Sequence, residues 1–181
     1  MLRCFDIILS LLGLLVLSPI LVIIYIAGYF DTGSPLFFQQ RVGRNKQPFT
    51  LIKFRTMPVN TQSVATHLVG SSSVTRLGHI LRRTKLDELP QLVNVIRGDM
   101  SLVGPRPCLF NQNEVIQERE RCGAFTVRPG ITGLAQIRAV DMSTPDKLAE
   151  LDQEMIRTMS VVNYFVYIMK TVSGDGAGDR V

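Results

Sequence analysis

Tryptophan is missing from the 181 residues, aromatics make up only 7% of them, and histidine occurs twice. The few aromatics are not interleaved with a basic run, which argues against a platform that stacks single-stranded nucleic acid. Cysteine occurs three times, at Cys4, Cys108 and Cys122. The number is odd and no CxxC occurs, so neither a disulfide framework nor a zinc site is indicated. His67 and His79 stand far from any cysteine pair. The thiols read as ordinary thiols of a reducing compartment. No internal repeat is present. Charged residues are scarce too, 19%, against 46% hydrophobic. The charge that remains is lopsided, with a formal net of +5. A basic surface suits anionic partners: nucleic acid, anionic lipid headgroups or phosphorylated substrates. The length predicts one domain, with a membrane or terminal appendage at most.

The longest stretch without charge lies near the start. Between Asp6 and Asp31 stand 24 uncharged residues, 7–30. A straight helix of that length measures about 36 Å, enough to cross a hydrocarbon core of about 30 Å. A signal peptide would need a shorter apolar region and a small-residue cleavage site. Ser18 and Pro19 sit at the middle of the run. Pro19 cannot donate to the carbonyl of Leu15, so a kink is expected there, and the Ser18 hydroxyl is placed to cover a freed carbonyl. Each half is then about 18 Å long, which reaches mid-bilayer and returns. Arg41, Arg44, Lys46, Lys53 and Arg55 follow the run, and the positive-inside tendency keeps that cluster cytoplasmic. Physics alone leaves a simple span and a re-entrant hairpin both open.

Gly33, Pro35, Gly43 and Pro48 predict turns around a short apolar piece, residues 36–38. Residues 49–57 (FTLIKFRTM) alternate as a strand does, with Lys53 and Arg55 on one side. Those two cations are either a solvated strand face or contacts for phosphates and headgroups. Residues 58–75 read as a polar loop able to order over substrate, and 75–83 as a short helix. Leu89, Leu92, Val93 and Ile96 then form one helical face. Pro90 is cheap only in a first turn, so the helix is expected to begin near Asp87. That places Asp87 and Glu88 at a helix N-terminus, where they either cap it or belong to an anion-handling site. Arg82, Arg83, Arg97, Arg106 and a Gly-Pro-Arg-Pro turn surround them. Further on, 110–121 reads as an exposed charged helix. Pro129, Gly130 and Gly133 make a tight loop whose amides can face an anion, beside Arg128. Ser143 and Asp146 form a capping box, followed by an apolar stripe of Leu148, Leu151, Met155 and Met159. Residues 161–172 suit a buried or interfacial helix, and 174–181 a frayed tail.

Five ordered segments carry a resemblance: Ser18-Pro19, KFRTM at 53–57, LDELPQL, GDMSLVGPRP and VRPGITGLAQ. Together they resemble the bacterial sugar transferase family, in its small monotopic form: phosphoglycosyl transferases that act on a polyprenyl phosphate. The resemblance implies an α/β, mostly helical fold with little sheet. A kinked re-entrant membrane helix over 1–30 would precede a compact cytoplasmic catalytic domain with interfacial amphipathic helices over 31–173, and a flexible tail over 174–181. It tips the topology to re-entrant, through Ser18 and Pro19, at the cytoplasmic face of the bacterial inner membrane. It implies a two-step reaction in which Asp87 attacks the β-phosphorus of a UDP-sugar and UMP leaves. The sugar phosphate then passes to polyprenyl (undecaprenyl) phosphate. Glu88 would assist as metal ligand or base, and Asp87 and Glu88 together would hold Mg²⁺. Arg82, Arg106, Arg128, Lys53 and Arg55 would bind substrate phosphates. The implied partners are an N-acetylated or deoxyamino UDP-sugar, the polyprenyl phosphate and membrane lipid, without nucleic acid; a homodimer is compatible. At Leu134 many relatives have Trp, and where this chain reads QEMIRTMS relatives often have two tyrosines, differences that bear on sugar preference or on packing. The rival class is a membrane-anchored anion-binding module without chemistry. A pure anion binder gains nothing from two carboxylates inside a basic site.

Overall fold

The computed structural model describes residues 2–59, 61 and 73–174. Most of the expected loop at 58–75, and all of the expected tail at 174–181 but its first residue, lie outside the described residues. Helix α1, Leu2–Thr32, is long and apolar enough to cross a membrane. It stays helical through Pro19. The Ser18 hydroxyl donates to the Leu15 carbonyl at 2.8 Å, the carbonyl that Pro19, lacking an N–H, leaves without its ladder partner. Leu11, Leu12, Leu15, Val16, Ile20, Val22 and Ile23 all stand exposed along α1. An apolar surface of that extent marks a membrane or partner contact.

Both ends of α1 rest on the rest of the molecule. At the start, Arg3 donates to the carbonyls of Val95, Ile96 and Met100 at 2.6, 3.2 and 3.2 Å. Asp6 is buried and accepts from Ser101 Oγ, the Leu102 amide and Tyr164 Oη, each at 2.9 Å. Burial and the Asp6 carboxylate push the Tyr164 phenol far above its ordinary value, so it remains the donor. At the far end, Ile24 packs with Phe54 and Leu81, and Asp31 accepts from Thr75 Oγ1 at 2.7 Å.

Two strands, β1 (Leu36–Val42) and β2 (Pro48–Phe54), form an antiparallel hairpin in register Leu36↔Phe54 to Val42↔Pro48. The apolar piece expected to sit among turns at 36–38 is thus the start of a strand. The expected strand at 49–57 ends three residues earlier, because beyond it Thr56 turns to accept from the Thr75 amide at 3.0 Å. Helix α2 (Arg76–Thr84) follows, and α3 (Gln91–Arg97) packs on β2. Asn94, fully buried in α3, binds β2 as another strand would: it donates to the Thr50 carbonyl at 2.7 Å and accepts from the Ile52 amide at 3.1 Å.

β3 (Ser101–Val103) pairs in parallel with β4 (Gly130–Thr132). Helix α4 (Asn113–Arg121) precedes β4, and α5 (Leu134–Ile137), α6 (Pro145–Arg157) and α7 (Val161–Val172) follow it. The main core gathers Val103, Leu134, Leu148, Leu151, Met155 and Tyr164. Leu134 is therefore a packing residue. The capping box expected at α6 does not form, since Ser143 Oγ donates to Asp141 Oδ1 at 2.6 Å. In α7, Tyr164 and Tyr167 are buried while Val162, Met169 and Val172 stand exposed. The fold is mostly helical with little sheet, as expected.

Candidate active site

Asp87 and Glu88 do not occupy the first turn of α3. They lie in a single 3₁₀ turn, Leu86–Glu88, and α3 begins at Gln91 behind Pro90. Pro90 has no N–H to give Leu86, so the α-helical ladder cannot pass through it. The Leu86 carbonyl is taken instead by the Leu89 amide at 3.3 Å. Upstream, Lys85 closes α2 in the left-handed region, with φ 57°. The acidic pair is thereby held on a short tight link between two helices.

Asp87 is 2% exposed. Glu88 Oε1 lies 2.9 Å from Arg106 Nη1, which joins the acidic turn to the Gly-Pro-Arg-Pro turn. Arg82 is buried; its Nε donates to Thr56 Oγ1 at 3.0 Å, while its Nη1 has no partner among the described residues. A buried guanidinium donor without a partner is rare in folded proteins and fits an anionic ligand. Among the expected cations, then, Arg106 reaches the acidic pair and Arg82 is anchored on Thr56.

The others are placed differently. Lys53 and Arg55 flank the ring of Phe37, 5.7 and 5.3 Å from its centre. Arg55 also donates to the Ser34 and Leu36 carbonyls at 2.9 and 3.3 Å, strapping the link between α1 and β1. Arg128 Nε donates to the Gly98 carbonyl at 2.8 Å, at the C-terminal end of α3, where a cation is favoured by the helix dipole. Ser18 and Pro19 stand exposed midway along α1.

The loop expected to offer free amides is an interlock. The Gly104 amide donates to the Thr132 carbonyl at 2.8 Å, and the Gly130 amide to the Pro105 carbonyl at 2.9 Å. A Cβ on Gly104 would stand 2.4 Å from the Arg128 carbonyl oxygen, and one on Gly130 at 2.0 Å from the Gly104 nitrogen. Only glycine permits these two turns to touch.

Sequence reasoning missed what lies beneath the turn. Arg119, in the helix read as exposed, is 2% exposed and pairs with buried Asp152 of α6. Burial pushes the Asp152 carboxyl up, against the Arg119 guanidinium that pulls it down. Arg119 stands four residues after buried Val115, and that helical spacing was the available signal.

No group of three or more metal-binding side chains occurs among the described residues. Two adjacent carboxylates fit Mg²⁺ all the same, because that ion commonly takes one or two carboxylates and completes its shell with water and substrate phosphates.

The profile of the family described as bacterial sugar transferase matches residues 1–174. The chain belongs to that family. It is similar to the UDP-glucose:undecaprenyl-phosphate glucose-1-phosphate transferase of Escherichia coli K12, 41% identical over 88% of this chain and 36% of that protein. It is 32% identical to the undecaprenyl-phosphate galactose phosphotransferase of Salmonella typhimurium, over 93% of this chain and 39% of that one. With the uncharacterized sugar transferase EpsL of Bacillus subtilis it shares 40% identity over 83% of this chain and 74% of that one. Against two longer relatives, from Haemophilus influenzae and Erwinia amylovora, the chain spans 40% and 39% of their length.

Proposed function

We propose that this chain is a membrane phosphoglycosyl transferase that moves a sugar 1-phosphate from a UDP-sugar to polyprenyl (undecaprenyl) phosphate, with release of UMP. The reaction would open glycoconjugate assembly at the cytoplasmic face of a bacterial inner membrane. The observation that carries the reading is the Glu88–Arg106 contact beside buried Asp87, in a chain of this family.

Asp87 is the nucleophile. A carboxylate oxygen forms a bond to the β-phosphorus, the bond from that phosphorus to the bridging oxygen breaks, and UMP leaves with the bridging electrons. Arg106 and Arg82 hold phosphate oxygens and keep the phosphorus in line with Asp87. Mg²⁺, with Asp87, Glu88 and substrate oxygens as ligands, would neutralise diphosphate charge. In the second step an oxygen of the lipid phosphate displaces Asp87 from the same phosphorus. Glu88 takes a proton from that phosphate, and its contact with Arg106 supports a role beside the phosphates.

The lipid substrate requires a site at the bilayer, which α1 supplies. A re-entrant α1 is favoured over a span because Arg3 and Asp6 at one end, and Ile24 and Asp31 at the other, contact one globular body. The Ser18 hydroxyl on the Leu15 carbonyl removes part of the cost of a proline in lipid. The test is UMP release from a panel of UDP-sugars, with and without polyprenyl phosphate, using protein in detergent or lipid. Release with formation of a polyprenyl diphosphate sugar for one donor is expected. No release with any donor would sink the reading.

A further inference from the structure

The Gly-Pro-Arg-Pro turn that carries Arg106 is fixed through its backbone on every side. Ahead of Arg106, the Gly104 amide binds the Thr132 carbonyl and the Pro105 carbonyl binds the Gly130 amide. After it, the Arg106 carbonyl accepts from Arg119 Nη1 at 2.7 Å, and the Pro107 carbonyl from Arg41 Nη1 at 3.1 Å. Pro105 and Pro107 fix their own φ angles. The two arginines that close the turn from below are both buried.

Arg119 is held in turn by Asp152. Its Nε donates to Asp152 Oδ2 at 2.8 Å, and its Nη2 lies 2.8 Å from the same oxygen. Both nitrogens converge on one oxygen, so Nη2 contributes charge more than a well-aligned hydrogen bond. Each side chain of the pair is 2% exposed. For holding α4 against α6 this is a poor choice. Desolvation of two buried charges roughly cancels their attraction, and an apolar pair of similar volume commonly stabilises as well or better. An apolar pair cannot, however, donate to the Arg106 carbonyl.

We infer that Asp152 and Arg119 are positioning residues: the buried pair sets the peptide plane after Arg106 and so delivers the Arg106 guanidinium to Glu88 and the substrate phosphate. The line of contacts runs Asp152, Arg119, Arg106 carbonyl, then Arg106 Nη1 to Glu88 Oε1 at 2.9 Å. The kinetic part of this inference rests on the transferase reading; the geometric part does not.

Arg119→Met combined with Asp152→Leu tests it, with Arg119→Lys as the milder change that keeps the charge pair and removes the second arm of the fork. The expected result is a thermal midpoint near that of the parent protein, with kcat/KM for the UDP-sugar at least ~10-fold lower and the loss mainly in KM for Arg119→Lys. In an Arg106→Ala background the same replacements should add less than about twofold, because residues acting through one another are not additive. Full additivity with Arg106→Ala, or parental kinetics in the apolar pair, overturns the inference. Crystal structures of the variants read the geometry without any activity. An Arg106–Glu88 contact unchanged in both variants overturns the inference even if no sugar phosphate is ever transferred, and loss of UMP release in the parent protein sinks only the transferase reading. Should the apolar pair fail to fold, Arg119→Lys carries both readouts.

Discussion

Asp87 and asparagine differ by one oxygen exchanged for an NH₂ group, and only the carboxylate can attack phosphorus. The side chain is 2% exposed, so an isosteric replacement disturbs packing little. Asp87→Asn should therefore lower UMP release by ~10³-fold or more, with the thermal midpoint and membrane association unchanged. The measurement is turnover of the purified variant beside its melting curve. Appreciable product from a well-folded variant would demote Asp87 to metal ligand or base. The nearness of the acidic pair to Arg106 was legible in the sequence, because glycine, proline and charge fall close together there. Arg119 and Asp152 were not. A charged residue on a polar helix reads as solvated, and only the partner helix, α6, arriving 33 positions later shows that it is buried. Arg128 and Arg55 show the converse: position in a motif marks an arginine, but not whether it serves a ligand or a backbone carbonyl.

Among the elements, α1 poses the sharpest alternative. A helix of 31 residues is about 46 Å long if straight, more than a bilayer core needs, so length alone favours neither topology. On the proposed re-entrant reading, contact of both ends with one body keeps them on one face, while α1 itself stays helical through Pro19. Tags at Met1 and Val181, probed by cysteine labelling in intact cells, should both be protected from outside reagents. The combined change Ser18→Ala and Pro19→Leu restores the ladder at Leu15 and should shift part of the population to a span, with the N-terminal tag labelled from outside. Labelling of that tag in the parent protein would establish a simple span instead. Helices α2, α6 and α7 stand where they were expected, α6 through its apolar stripe of Leu148, Leu151 and Met155 and not through the expected capping box. β1 was not, because Leu36–Val42 is a strand only through its pairing with β2, and three apolar residues followed by QQR carry little period-2 signal. The start of α3 was misplaced because Pro90 tolerates the first helical turn but equally ends a 3₁₀ turn before it.

At the scale of the whole molecule, the proposed reaction asks one site to serve a water-soluble nucleotide and a membrane lipid, and a covalent intermediate would let the two arrive in turn. Asp87 and Glu88 sit on a link between helices, tied through Arg106 to the turn that β3 and β4 position. β3 in turn is tied to α1 through Asp6. On the proposed mechanism the nucleotide half-reaction would need no lipid. Protein mixed with UDP-sugar and Mg²⁺, and no acceptor, should release about one UMP per active site and then stall, as expected of a covalent intermediate. The protein mass should rise by one sugar phosphate, and the adduct should map to Asp87. Adding polyprenyl phosphate should discharge it, because the acyl phosphate leaves a good leaving group on phosphorus. Chelation of divalent ions should suppress the burst, since the Asp87 carboxylate would then face an unneutralised diphosphate. If UMP appears only after the lipid is added, and no adduct is trapped at any time, transfer is direct between two substrates bound together. In that case the depth of Asp87 in the protein serves to hold a metal ion, and the proximity of α1 to the site serves to bring both substrates in at once.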